Sequence, residues 1–164
     1  MIIQPLTAAH AEWVKKIHQE GIATGIATFE TDSPSWEEWD RGHLPYARFV
    51  ATEGEKVLGW AALTPISSRC VYAGVAEVSV YVSSDARAKG VGKALLLELV
   101  KDSEQHQLWT LQAGIISDNK ASIALHEKVG FRIVGVREKL GQYKSIWHDV
   151  VLMERRSNKI NYES

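Results

Sequence analysis

At 164 residues, with 45% hydrophobic and 24% charged residues, the chain has the composition of a globular protein large enough to bury a core, which excludes intrinsic disorder. Its formal net charge of −1 supplies no global attraction to nucleic acid or to an anionic membrane, so neither is expected as a partner. The single cysteine, Cys70, excludes an intrachain disulfide, and no apolar run reaches membrane-spanning length; a cytoplasmic protein without a leader segment is expected.

Met1–Leu6 is predicted as a short strand, and Thr7 as the N-cap of a helix from about Ala8 to Glu20 with Ala11, Trp13, Val14 and Ile17 on its apolar face. Gly21–Thr31 is rich in Thr, Ala and Gly around one large ring, Phe29, and reads as a loop. Ser33 or Ser35 then caps a short helix through Trp39. Arg48–Thr64 has the pattern of a hairpin turning at Gly54-Glu55 and stopped by Pro65, and Ser67–Gly74 is a connecting loop. Val75–Val82 alternates, with Glu77, Ser79 and Tyr81 on one face and Val78, Val80 and Val82 on the other.

Beyond Ser83-Ser84-Asp85 and a basic loop, a helix carries Val91, Leu95, Leu96, Leu99 and Val100 on one side. Trp109–Ile116 reads as a buried strand; Asp118 or Asn119 caps a helix through Val129, and Gly130 ends it. Phe131–Glu138 and Trp147–Arg155 are the last strands, separated by a loop Lys139–Ile146, and the tail from Arg156 is expected to fray. With no repeats or linkers, residues 1–164 read as one domain. Val75–Val82, a right-handed crossover helix and Trp109–Ile116 predict a parallel strand pair. The hairpin-linked remainder makes the sheet mixed and mostly antiparallel, flanked by helices in an α/β sandwich.

The loop Arg87-Ala88-Lys89-Gly90-Val91-Gly92-Lys93 follows a strand and opens a helix, where unpartnered N–H groups and the helix dipole favour a phosphate. It is not a Walker A loop, because Arg87 stands where the first glycine belongs and Ala94 where the magnesium-binding hydroxyl belongs. It is not a dinucleotide fingerprint either, since the third glycine position is Leu95. What remains is Arg-x-x-Gly-x-Gly, in which Gly90 and Gly92 let successive amides converge on a pyrophosphate and Arg87, Lys89 and Lys93 add charge. A basic turn that only caps the helix would have the same composition.

This loop resembles the acyl-CoA signature of the GCN5-related N-acetyltransferases (GNAT). The following helix, with Asn119, Ser122, Leu125, His126, Gly130 and Phe131, agrees with that family, which also implies a bulge in the strand before the loop. Glu77-x-x-Val80-Tyr81-Val82, Thr28-Phe29-Glu30-Thr31, the pair Arg69 and Tyr72, and Tyr143-Lys144-Ser145-Ile146-Trp147-His148-Asp149-Val150 are similar to its phosphinothricin and methionine sulfoximine acetyltransferase branch. The resemblance runs from about residue 20 to 150.

The resemblance implies the GNAT fold with parallel central strands that splay apart, acetyl-CoA as co-substrate, a small-molecule amine as acceptor, and a homodimer. It implies that Val80, Tyr81 and Val82 meet the pantetheine arm, that Arg87, Ala88, Lys89, Gly90, Val91, Gly92 and Lys93 hold the pyrophosphate, and that Asn119 and Ser122 add cofactor contacts. Asn119 is equally an N-cap. Attack of an amine on a thioester needs a neutral amine and a proton for the departing thiolate. Glu77 stands at the position of the family's catalytic glutamate and is expected to be the general base. His126 stands where relatives place a general acid, although a buried helix histidine with a structural bond fits its surroundings as well.

Phe29, Arg69, Tyr72 and His148 are the expected substrate contacts, Arg69 through its bidentate fork. The six histidines lack metal-ligand spacing, so no metal is expected. The expected function is transfer of acetyl to the α-amine of an amino-acid-like substrate such as phosphinothricin or methionine sulfoximine. The alternatives are acetylation of a peptide or protein N-terminus, and a non-catalytic acyl-CoA-binding module.

Overall fold

The computed structural model describes residues 1–162. Its strands are β1 (Ile2–Pro5), β2 (Phe49–Glu53), β3 (Lys56–Pro65), β4 (Val75–Val82), β5 (Thr110–Ile116), β6 (Arg132–Tyr143) and β7 (Ile146–Arg156). The helices are α1 (Ala11–Ala23), α2 (Trp36–Gly42), α3 (Val91–Gln105) and α4 (Lys120–Lys128). The strands form one sheet in the order β1-β2-β3-β4-β5-β7-β6. Every neighbouring pair is antiparallel except β4 and β5, the parallel pair joined through α3.

Period-two alternation in the strands sends apolar side chains into two separate cores. Ala61, Leu63, Val78, Ala113, Ile115, Val151 and Met153 pack with Leu95, Leu96 and Leu99 of α3. These three leucines are completely buried, each contributing roughly 1.5–3 kcal/mol. On the other face Val50, Val57, Trp60 and Ala62 meet Val14 and Ile17 of α1 and Trp39 of α2. Trp39 lies edge-on to Trp60 at 5.4 Å, and Trp60 stacks on Tyr81 at 5.0 Å.

Two open choices of cap resolve. Ser35, not Ser33, caps α2, its hydroxyl accepting from the Glu38 amide at 3.2 Å. Asn119, not Asp118, caps α4 by accepting from the Ser122 amide at 3.2 Å.

Four expectations are corrected. The first helix runs on to Ala23, absorbing the start of the predicted loop; Gly21 in its last turn is buried so close to the Tyr81 ring that a Cβ would stand 2.8 Å from it, so glycine there serves packing and not a loop. The predicted loop Lys139–Ile146 is mostly strand: β6 continues to Tyr143 and turns through Lys144 and Ser145, both at positive φ (49° and 66°). That two-residue geometry is normally signalled by Asn or Gly, neither of which is present. The tail does not fray at Arg156. Its guanidinium donates to the carbonyls of Ser157, Ile160 and Asn161, and Ser157 and Ile160 are buried; residues 163–164 lie outside the described residues. Finally, the register between β3 and β4 is regular throughout, and the bulge falls instead between β2 and β3, beside Ala51 and Thr52.

Candidate active site

The parallel pairing of β4 with β5 covers only Val75↔Thr110, Ala76↔Leu111 and Glu77↔Gln112. β4 continues to Val82 and β5 to Ile116 without further pairing, so a fork opens in the middle of the sheet. The Ser83 amide donates to the Leu58 carbonyl at 2.8 Å, which fixes the phase of the β3–β4 ladder. By alternation, Ser79 and Tyr81 bond toward β3, whereas Val80 and Val82 turn their N–H and C=O groups into the fork.

The fork leads to the basic loop. Ala88 (φ 62°) and Gly90 (φ 80°) are both left-handed, the kind of backbone curl that suits an anion-binding nest. Gly90 is the N-cap of α3 and has no side chain to occupy the first-turn amides. Gly92 serves differently: it is helical, and a Cβ there would stand 3.0 Å from Leu125 of α4, so glycine lets the two helices approach. The turn before the loop is anchored from both sides. Glu20 of α1 accepts from the Ser84 amide and hydroxyl at 3.2 and 2.7 Å, and Lys56 pairs with Asp85 at 2.5 Å. The Lys56 hydrogen bond, aided by the Ser83 hydroxyl, holds the Asp85 carboxyl down to about 2.

A cleft of about 710 Å³ passes through the fork and is lined from both faces of the sheet. Of the predicted cofactor residues, Val80, Tyr81, Val82, Arg87, Ala88, Gly90, Val91, Gly92, Lys93, Asn119 and Ser122 all line it; Lys89 does not and is exposed on the loop. Gly21, Thr24, Ile26 and Ala27 close the far wall, a contribution hidden in the sequence by the loop-like composition of that segment. Ala121, Ala124, Leu125 and Lys128 also line the cleft, and their spacing marks one stripe of α4 that helical periodicity would have revealed. Arg87, Lys93 and Lys128 bring three positive charges to the cleft, and no carboxylate joins them in the lining. In a chain of net charge −1, such a concentration suits a polyanionic ligand. Half-buried Tyr81, its hydroxyl pushed up to about 12 chiefly by desolvation, forms a neutral wall.

Glu77 occupies the last rung before the fork, roughly 10 Å along β4 from Val80. The side-chain amide of Gln112 donates to its Oε1 at 3.2 Å. Gln112 was not foreseen, because only the parallel register brings residues so distant in sequence to one rung.

Phe29 and His148 come together, with ring centroids 6.1 Å apart. Arg69 and Tyr72 also meet, the guanidinium 5.6 Å from the Tyr72 ring centre, but both are exposed beside Cys70 and neither lines the cleft. His126 is buried. Its Nδ1 lies 2.7 Å from the Ser122 carbonyl, its ring sits edge-on to Phe131 at 5.1 Å, and it does not line the cleft. Desolvation lowers its pKa, only partly offset by the bond to Ser122, so the neutral ring donating from Nδ1 is favoured.

The segment carrying Phe29 is tied to α1 by His18, whose Nε2 contacts Glu30 at 3.0 Å and whose Nδ1 is 2.9 Å from the Ser33 hydroxyl. The His18 bond holds the Glu30 carboxyl below its ordinary range despite an opposing desolvation.

The family model described as Acetyltransferase (GNAT) family matches residues 12–131. A phosphinothricin N-acetyltransferase of Alcaligenes faecalis is 36% identical over 154 residues, covering 88% of this chain and 77% of its own. An L-methionine sulfoximine/L-methionine sulfone acetyltransferase of Pseudomonas paraeruginosa is 36% identical over 115 residues, covering 70% and 67%. Among solved structures, a GNAT superfamily phosphinothricin acetyltransferase from Sinorhizobium meliloti in complex with AcCoA superposes with a TM-score of 0.89 at 29% identity, covering 99% of this chain and 91% of that one.

Proposed function

The chain belongs to the GNAT acetyltransferase family and is an acetyl-CoA-dependent N-acetyltransferase of the phosphinothricin acetyltransferase type, and from that premise we propose that it acetylates the α-amine of a small amino-acid-like substrate by direct transfer, with Glu77 as general base. Phosphinothricin and methionine sulfoximine are the first acceptors to test. The observation that carries this reading is the positively charged cleft at the fork; Glu77 does not line it but stands on the same strand, three residues before the cleft residue Val80.

Arg87, Lys93 and the amides around Gly90 would hold the pyrophosphate, and Val80 and Val82 would offer backbone groups to the amides of the pantetheine arm. Bound acetyl-CoA supplies an activated acyl group and a thiolate leaving group. An α-ammonium, with a pKa near ~8, is mostly protonated at neutral pH, so its proton must be removed before attack. In this reading Gln112 holds one oxygen of Glu77 and leaves the other to accept that proton. Nitrogen forms the new bond to the acyl carbon, the carbon–sulfur bond breaks, and the departing CoA thiolate takes its proton from water, since buried His126 does not line the cleft. We assign His126 a positioning role: a ring donating from Nδ1 to the Ser122 carbonyl steadies the turn of α4 that carries Ser122.

We also propose a homodimer in the cytoplasm. Strand β6 is a free sheet edge, exposing Ile133, Val134, Val136 and Leu140 beside Ile146 and Trp147, and a second copy of this apolar edge would cover it. A reducing compartment suits a chain whose one cysteine is unpaired and exposed. No helix of the described residues is long and apolar enough to cross a membrane.

The decisive experiment is an amine panel with detection of released CoA, covering amino acids, sulfoximines, polyamines and short peptides. Preference for free amino acids is the expected result. Preference for peptides would shift the acceptor to a polypeptide N-terminus, and acetyl-CoA binding without turnover would leave an acyl-CoA-binding module.

A further inference from the structure

Two glycines on the face of the sheet that carries Glu77 are not required by their backbones: Gly114 beside the carboxylate, and Gly141 beside Phe29. Gly114 in β5 and Gly141 in β6 both lie outside the left-handed region, within strands, where glycine is disfavoured relative to alanine. What distinguishes each is the space where a side chain would stand.

Directly paired residues project to the same face of a sheet, and residues two apart along a strand share that face. The registers Glu77↔Gln112, Gly114↔Leu152 and Gly141↔His148 therefore put Glu77, Gln112, Gly114, Leu152, Val150, His148 and Gly141 on one face. Gly114 is exposed although β5 is an inner strand. A Cβ on Gly114 would stand 3.5 Å from Val150 Cγ1 and 4.0 Å from Glu77 Oε1, between an apolar wall and the carboxylate. A Cβ on Gly141 would stand 2.8 to 3.0 Å from three atoms of the Phe29 ring, so the absence of a side chain is what seats that ring against β6, with His148 beside it.

Building on the function proposed above, we propose that Gly114 and Gly141 set the size of the acceptor site: Gly114 leaves the floor open between Glu77 and Val150, and Gly141 seats Phe29 as its roof. The acceptor that fits is a primary amine on a short aliphatic body. Its ammonium would face Glu77 and Gln112, and its body would lie toward Val150 and Phe29. A methylene in an apolar pocket is worth about 10–200-fold in discrimination, so one added side chain at the floor should be readable in the acceptor profile.

The test compares wild type, Gly114→Ala, Gly114→Val and Gly141→Ala in steady-state kinetics. Acceptors are methionine sulfoximine and the series alanine, 2-aminobutyrate, norvaline and norleucine, with acetyl-CoA affinity measured by calorimetry. Gly114→Val is expected to lower kcat/KM at least about tenfold for the longest acceptor that wild type uses, and progressively less for shorter ones. Acetyl-CoA affinity should stay within about twofold. Gly114→Ala, whose added methyl meets only ordinary contacts, should show the same trend more weakly and provides the readout if the valine variant does not fold. Gly141→Ala should raise KM for the longest acceptors as Phe29 is displaced. An unchanged profile, or a loss uniform across acceptor length, overturns the size-setting role while leaving the parent function standing. Failure of wild type to acetylate any amine overturns the parent function itself.

Discussion

The side-chain amide of Gln112 donates to Oε1 of Glu77 across the last rung at which β4 and β5 are still paired. That rung joins the sheet's one parallel contact to the proposed base. It also orients a carboxylate that no other hydrogen bond among the described residues constrains.

Glu77→Gln should lower kcat by about 10²–10⁴-fold, the usual contribution of a general base, while acetyl-CoA affinity stays nearly unchanged. Gln112→Leu should show a smaller loss in kcat. Full activity in Glu77→Gln would remove the base assignment.

Gly90 meets nothing within 4 Å where its Cβ would be, so a substitution there is penalised by conformation rather than by crowding. Gly90→Val is expected to cost about 1–2 kcal/mol at φ 80° and to raise KM for acetyl-CoA roughly tenfold, with KM for the amine unaffected. Arg87→Ala should act in the same direction and make acetyl-CoA affinity less sensitive to salt. Parallel changes in both substrates' KM values would argue against a loop dedicated to the cofactor.

Burial lowers the pKa of both His126 and His43. Each binds its proton more readily in the unfolded chain, where the pKa is near ~6.5, so their stabilising contribution is present above that value and is lost as pH falls below it. Thermal denaturation between pH 7.5 and 5.5 should show Tm falling with acidity, and His126→Gln should flatten that dependence. If kcat also collapses at constant fold and constant acetyl-CoA affinity, His126 acts on the reaction itself rather than through Ser122.

The exposed edge of β6 gives a separate prediction. The wild type should run as a dimer in light scattering after size exclusion, and Val136→Lys should shift it toward monomer. A monomeric wild type at micromolar concentration would exclude β6 as a stable interface.

Alternation and capping made most of the fold legible. Val75–Val82 and the α3 leucines follow their expected periods, and Ser35 and Asn119 act as caps. The loop side of the cleft was equally legible, because Arg87 to Lys93 lie in one contiguous segment whose backbone conformation depends on its own glycine at position 90. The surroundings of Glu77 and Phe29 were not. Gln112 reaches Glu77, Gly141 receives Phe29, and Tyr143 bonds the Ile22 carbonyl at 3.3 Å only through strand register and chain crossing. The β6–β7 turn escaped notice because Lys144 and Ser145 adopt positive φ without the residues that usually announce it.

The early parting of β4 from β5 also has a mechanical meaning. The sheet consists of two antiparallel blocks, β1 to β4 and β5 with β7 and β6, stitched along a seam of three rungs from Val75 to Glu77. A ligand lying in the fork would touch Val80 and Val82 in one block and Asn119 and Ser122, just beyond β5, at the other. It would act as a rivet across the seam. Binding therefore resists the opening of one block from the other, and saturating acetyl-CoA should raise Tm by the mass-action stabilisation of the state in which both blocks are closed on it.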